Sequence, residues 1–182
     1  KSGSDVTDIK FTVIHTNHAP TWVLNPIQAS TKEEQAIDFT VNQFAKDVDG
    51  DKLTFSLLEG PAWAKPNAEG AFSGTPQIAD EGVNTFKVRV TDTGGLFADA
   101  VVKITVLHVN HKPFWTQNPI VLPEGFEGQA YSQSISAFAK DPDGDPLTFT
   151  KLSGPSWVTI GSGGSVSGTP SRADVGINFI EV

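Results

Sequence analysis

Apolar and polar residues alternate along this chain in short runs, and Gly, Pro, Asp and Asn punctuate the intervals. A period of two is the pattern of a half-buried strand. Ile37, Phe39 and Val41 share one face, as do Leu53, Phe55 and Leu57, then Phe86, Val88 and Val90, then Val102, Ile104 and Val106. Further along, Ile135, Leu147, Phe149, Ile177 and Phe179 are expected to fill the matching core slots. No segment carries an apolar stripe at helical spacing, so the pattern predicts an all-β chain.

The runs recur. Phe44-Ala45-Lys46-Asp47-Val48-Asp49-Gly50-Asp51 returns as Phe138-Ala139-Lys140-Asp141-Pro142-Asp143-Gly144-Asp145, an offset of 138 − 44 = 94. Gly60-Pro61-Ala62-Trp63 and Ser73-Gly74-Thr75-Pro76 return at the same offset, and Asn17-His18-Ala19-Pro20 returns at 110 − 17 = 93. A repeat of this length matches an immunoglobulin-type sandwich of about 100 residues. The expected organisation is a first module over residues 18–110 and a second over 111–182, joined by a short Pro-bearing link. The second is expected to lack its last strand. Residues 1–17 repeat that last strand, because Lys10-Phe11-Thr12-Val13-Ile14-His15 matches Lys103-Ile104-Thr105-Val106-Leu107-His108. They read either as the orphan end of a preceding module in a longer array or as a strand donated to an incomplete sandwich of a second chain.

Composition narrows the function. A net charge of −8 argues against nucleic acid, which needs clustered Lys and Arg. No apolar run approaches the ~20 residues of a membrane span. Cys and Met are absent, so there is no thiol chemistry, and the chain reads as a piece of a longer secreted or cell-surface protein.

The acidic residues cluster in two repeated loops, Asp47, Asp49 and Asp51, and Asp141, Asp143 and Asp145. Alternating Asp on a Gly-kinked loop aims several carboxylates at one point, as a hard cation such as calcium requires. The same residues also make plain turns. Neither loop is an EF-hand, since the downstream Glu and the flanking helices are missing.

These loops, with Glu127 to Tyr131, Gly154-Pro155-Ser156-Trp157, Ser167-Gly168-Thr169-Pro170 and Asp174-Val175-Gly176, resemble the dystroglycan-type cadherin-like, or bacterial Ig-like, module. The resemblance covers both repeats. It implies two tandem immunoglobulin/cadherin-like β-sandwiches of Greek-key topology, and calcium-dependent, non-catalytic roles in adhesion, polysaccharide attachment or spacing. By position it implies Asp47, Asp49 and Asp92 as calcium ligands, with Glu33 or Glu34 as the early glutamate and Glu124 or Glu127 in the second copy. Asp80 and Asp174 match the acidic pair before the sixth strand, and Asn17 and Asn110 the linker asparagine. Where cadherin linkers read Asp-x-Asn-Asp-Asn, this chain reads His15-Thr16-Asn17-His18-Ala19 and His108-Val109-Asn110-His111-Lys112. Imidazole suits calcium poorly, so one ion per acidic loop is expected rather than an interdomain cluster. The pairs His15/His18 and His108/His111 would suit a transition metal only with a third ligand.

Trp63 and Trp157 follow Gly-Pro as buried sandwich tryptophans do. Phe114, Trp115, Phe126 and Tyr131 are the loose candidates for a glycan platform. No nucleophile constellation is visible. The expected function is a non-catalytic, extracellular calcium-binding adhesion or spacer segment whose partners are neighbouring modules or identical chains. The alternatives are a carbohydrate-binding accessory module that takes polysaccharide, and a strand-donating filament subunit.

Overall fold

A computed structural model describes residues 2–182, and it divides into two compact units, one ending at Val109 and the other running from Asn110 to Val182. Among its described residues the first unit contains nine strands: β1 (Thr21–Trp22), β2 (Ile27–Lys32), β3 (Phe39–Thr40), β4 (Ala45–Lys46), β5 (Thr54–Glu59), β6 (Ala64–Pro66), β7 (Ala71–Gly74), β8 (Gly82–Thr91) and β9 (Phe97–Leu107). They form a four-stranded sheet in the order β2-β9-β8-β5, a three-stranded sheet β3-β7-β6, and a small β1-β4 ribbon. All pairs are antiparallel except β2 with β9, which run parallel from Ile27 opposite Val102 to Lys32 opposite Leu107.

The alternation read from the sequence sets the core. Phe86, Val88 and Val90 of β8 and Val102 and Ile104 of β9 are wholly buried, facing Ile37, Val41 and Phe72. Phe72 and Trp63 each meet the Phe86 ring nearly edge-on, at centroid distances of 5.5 and 5.6 Å. Such contacts add to area burial. Trp63 places its polar tip on Asn84, Nε1 donating to Oδ1 at 3.0 Å. The close approach behind Trp63 needs Gly74, whose φ is +152° and where a Cβ would lie 1.8 Å from the Trp63 carbonyl oxygen.

The second unit contains β10 (Phe114–Trp115), β11 (Tyr131–Ser134), β12 (Ala139–Lys140), β13 (Val158–Ile160) and β14 (Ser165–Gly168). A β11-β14-β13 sheet and a β10-β12 ribbon repeat the β3-β7-β6 sheet and the β1-β4 ribbon. The counterparts of β5 and β8 meet at a Ser153–Glu181 bridge, beside which the Leu152 N–H also donates to Glu181 O at 2.7 Å. In the first unit β8 is held on its other side by β9. Two expectations are corrected here. Ile177 and Phe179 are 87% and 79% exposed, and Ile180 and Val182 pack on the core of Ile135, Phe149, Val158 and Val166 instead. The face is set one residue later than the sequence suggested, and a one-residue slip turns every side chain over.

Residues 2–17 carry no paired strand within this chain, and Val6, Ile9, Phe11, Val13 and Ile14 are all more than four-fifths exposed. Among the described residues no helix is long and apolar enough to cross a membrane.

Candidate metal sites

The first acidic loop leaves β4 and is organised by one carboxylate. Asp47 Oδ1 accepts the backbone N–H of Asp49 at 2.8 Å and of Asp51 at 3.3 Å. This is an Asx-type turn, which the short Asp side chain makes with its own backbone. Gly50 supplies the left-handed step at φ +79°. Asp47 Oδ2 is buried and has no hydrogen-bond partner.

Asp49 turns toward the segment that enters the module. It accepts the His18 backbone N–H at 2.7 Å, and both of its oxygens lie 3.1 Å from His18 Nδ1. His15 Nε2 approaches Oδ1 at 3.4 Å. The His18 backbone N–H holds the Asp49 carboxyl below its ordinary value, against a smaller opposing push from burial.

Asp92, just after β8, is 5% exposed. Its Oδ1 accepts Leu96 N–H at 2.8 Å and its Oδ2 accepts Asn17 Nδ2 at 3.0 Å. Asn17 packs where a side chain on residue 94 would sit, since a Cβ on Gly94 would lie 2.4 Å from Asn17 Nδ2. The adjacent residues Asn17 and His18 thus tie the 91–96 turn and the 47–51 loop together, and bring Asn17, Asp47, Asp49, Asp51 and Asp92 to one end of the module.

Glu33 and Asp80 belong to the other end. Strand β8 separates Asp80 from Asp92, and ten residues of strand span roughly 33 Å. Asp80 Oδ2 caps a short turn by accepting Gln77 N–H at 2.8 Å. Glu33 follows β2 and continues its ladder with β9, its N–H donating to Leu107 O at 3.1 Å. Its neighbour Glu34 has φ +58°, and Gly128, 94 residues on, has φ +73°; each donates its N–H to a Pro carbonyl, Pro76 and Pro170.

The second loop copies the first. Asp141 Oδ1 accepts Asp143 N–H at 2.9 Å and Asp145 N–H at 3.4 Å, and Gly144 takes φ +80°. Asp143 accepts the His111 backbone N–H and meets His111 Nδ1 at 2.9 Å. Asn110 differs from Asn17, since its side chain donates to the His111 carbonyl at 3.4 Å. Glu124 is exposed and joins neither loop; Asp174 caps a turn by accepting from Ser171, which lowers its carboxyl pKa.

Each linker histidine meets a carboxylate. The rings of His15 and His18 stand 6.4 Å apart and both address Asp49, while His108 faces Glu33 and His111 faces Asp143. Sequence reading missed this pairing of each linker imidazole with a carboxylate. The signal available was the shared recurrence of His18 with Asp49 and of His111 with Asp143.

Of the aromatic candidates, Phe126, Phe114 and Trp115 are exposed, and Tyr131 is half-buried with its hydroxyl donating to Pro123 O at 2.8 Å. Trp22, the counterpart of Trp115, is packed in and donates Nε1 to Ala98 O of β9 at 3.1 Å.

The fold resembles cadherin ectodomains. Protocadherin gamma B2 domains 3–6 match over 87% of this chain and 45% of theirs, at 14% identity and a TM-score of 0.50. Drosophila N-cadherin EC1-4 matches over 85% of this chain and 40% of its own, at 17% identity and a TM-score of 0.50. An endo-fucoidan hydrolase of glycoside hydrolase family 107 is 32% identical over 89% of this chain and 26% of its own, with a TM-score of 0.48. The chain therefore spans less than half the length of each of these proteins. No curated protein matches it in sequence. The model of the family described as Putative Ig domain matches residues 19–107 and again 113–180, and the chain belongs to that family as a tandem pair of immunoglobulin/cadherin-like sandwiches.

Proposed function

We propose that this chain is a calcium-stabilised, non-catalytic adhesion or spacer segment of a longer extracellular protein, joined to neighbouring modules or identical chains. The observation that carries the reading is Asp47. One oxygen holds the loop's backbone, while the other is buried without a partner. A buried carboxylate oxygen left unpaired is costly, and a bound cation removes that cost. The donors around it are suited to calcium, which takes six to eight oxygens. Asp49, Asp51 and Asp92 offer carboxylates, and Asn17, whose Nδ2 is spent on Asp92, offers its Oδ1. Asp141, Asp143 and Asp145 offer the same turn in the second copy. A bound ion would offset two of the three carboxylate charges of each loop and stiffen the segment that leads into it.

Calorimetric titration of calcium into metal-free chain tests this reading. Two sites are expected, one lost on Asp47→Asn and the other on Asp141→Asn. Absence of calcium heat in the unmodified chain, or heat that survives both substitutions, would overturn it.

Polysaccharide is the second partner class, carried by the exposure of Phe114, Trp115 and Phe126. It predicts retention on insoluble polysaccharide that Trp115→Ala abolishes; equal retention of the variant rejects it. Trp22, at the same place in the first copy, is packed in, so this position serves as a core position in one of the two repeats, which favours the spacer reading.

A further inference from the structure

We propose that residues 6–14 of one chain insert as a strand into the second unit of another copy of this chain, in the slot that β9 fills in the first unit. This specifies how identical chains join. It rests on that part of the proposed function and on no part of the calcium reading.

The slot is defined by its two walls. In the first unit β9 is shared by β2 and β8: it runs parallel to β2, with Ile27 opposite Val102, and antiparallel to β8, with Phe86 opposite the same Val102. Both walls recur in the second unit. Ile120 and Leu122 follow Ile27 and Ala29 at 120 − 27 = 93 and pack on the second core. Asn178 follows Asn84 at 178 − 84 = 94, and each accepts an indole N–H, from Trp157 at 3.3 Å and from Trp63 at 3.0 Å. Ile180 and Val182 are thereby the counterparts of Phe86 and Val88, and both pack inward. Among the described residues no strand lies between these walls. Trp22 donates its Nε1–H to Ala98 O of β9, whereas Trp115, at the same place in the second unit, is 37% exposed.

Residues 6–14 carry the pattern of β9 itself. At the offset 103 − 10 = 93, Ile9, Phe11 and Val13 fall on Val102, Ile104 and Val106, which are at most 1% exposed in the first core. Asp8, Lys10 and Thr12 fall on Val101, Lys103 and Thr105, on the opposite face of β9. Successive side chains of a strand point to opposite faces. The inserted segment therefore turns three large apolar groups into the second core and its polar groups to water. In their own chain Ile9, Phe11 and Val13 are 85%, 81% and 83% exposed. An alternating segment without a partner and a two-walled gap complete each other: main-chain hydrogen bonds supply affinity, and the alternate side chains supply specificity. Copying the β8–β9 register sets Ile9 opposite Ile180, Lys10 opposite Phe179 and Phe11 opposite Asn178. Donor and acceptor are different surfaces, so the contact is head-to-tail and propagates from copy to copy.

Sedimentation velocity of the full chain in chelator, over a range of concentrations, tests the proposal. Concentration-dependent association is expected, and Phe11→Glu is expected to weaken it by more than about a hundredfold. Phe11 is exposed in its own chain, so this variant leaves the first module folded and its calcium titration unchanged. The Phe11→Glu chain keeps an intact slot, and a free peptide of residues 4–16 is expected to bind it. The chain has no Cys, so an engineered disulfide reads the register. Lys10→Cys chains mixed with Phe179→Cys chains are expected to cross-link, and mixed with Lys65→Cys chains, altered in β6, they are not. A chain that stays monomeric at every concentration, association that survives Phe11→Glu, or absence of the Lys10–Phe179 cross-link overturns the proposal.

Discussion

Replacing Asp47 separates the two jobs of its carboxylate. Asp47→Asn keeps an oxygen acceptor for the N–H groups of Asp49 and Asp51 but removes the charge. Asp47→Ala removes both hydrogen bonds, of which the 2.8 Å bond to Asp49 is the stronger. A hydrogen bond to a charged group is worth about 1.5–3 kcal/mol. In chelator, Asp47→Ala is therefore expected to cost about 2–3 kcal/mol, and Asp47→Asn about 1 kcal/mol or less. Calcium adds a separate term. At a hundredfold excess over Kd, a ligand that binds only the folded state stabilises by about 2.7 kcal/mol. For a domain of this size that raises Tm by roughly 10–20 °C. Differential scanning calorimetry of the transition of the first module, in calcium and in chelator, reads both terms. The expected pattern is a calcium-dependent rise in the unmodified chain that is absent from both variants, with Asp47→Ala the lower of the two in chelator. A calcium shift that survives Asp47→Asn would show that the ion, if bound, does not use this carboxylate. Equal stability of the two variants in chelator would refute the turn-holding role.

Three further outcomes follow from the same geometry. Gly74→Ala forces a Cβ to within 1.8 Å of the Trp63 carbonyl at φ +152°, and is expected to cost on the order of 3 kcal/mol in urea denaturation; a loss below about 1 kcal/mol would mean the β6–β7 contact is soft. Asp49, Asp99 and Asp174 are held below the ordinary carboxylate value of 3.8 by His18, Arg89 and Ser171 respectively. Their contribution to stability is present above pH 3.8 and is lost as pH falls through the lowered folded values, so Asp99→Asn should flatten acid unfolding below that pH. Removing residues 2–14 should leave the melting of the first module within about 0.5 kcal/mol, since Val6, Ile9, Phe11, Val13 and Ile14 are exposed. If those residues donate a strand to another chain, the deletion also abolishes any concentration-dependent light scattering.

The repeat, the strands and the core of the first module were legible because β8 and β9 are long and alternate without interruption, so phase and partner agree. The same reading slipped by one residue at Ile177 and Phe179, where six residues remain and no neighbouring strand fixes the phase. The acidic loops were legible as motifs, since Asp-x-Asp-Gly-Asp makes its turn from local bonds. The rest of the site was not. His18 reaches Asp49 across 31 residues and Val109 reaches Glu33 across 76, contacts fixed by strand register that composition does not reveal.

The parallel pairing of β2 with β9 gives the first module a mechanical character. The chain enters β2 at Ile27 and leaves β9 at Leu107, at opposite ends of a ladder of six residue pairs. Tension along the chain drags the two strands past one another, so the ladder is loaded in shear and its hydrogen bonds must fail together rather than unzip singly. A module built this way holds its length under pull, which is what a tether between a surface and its cargo requires.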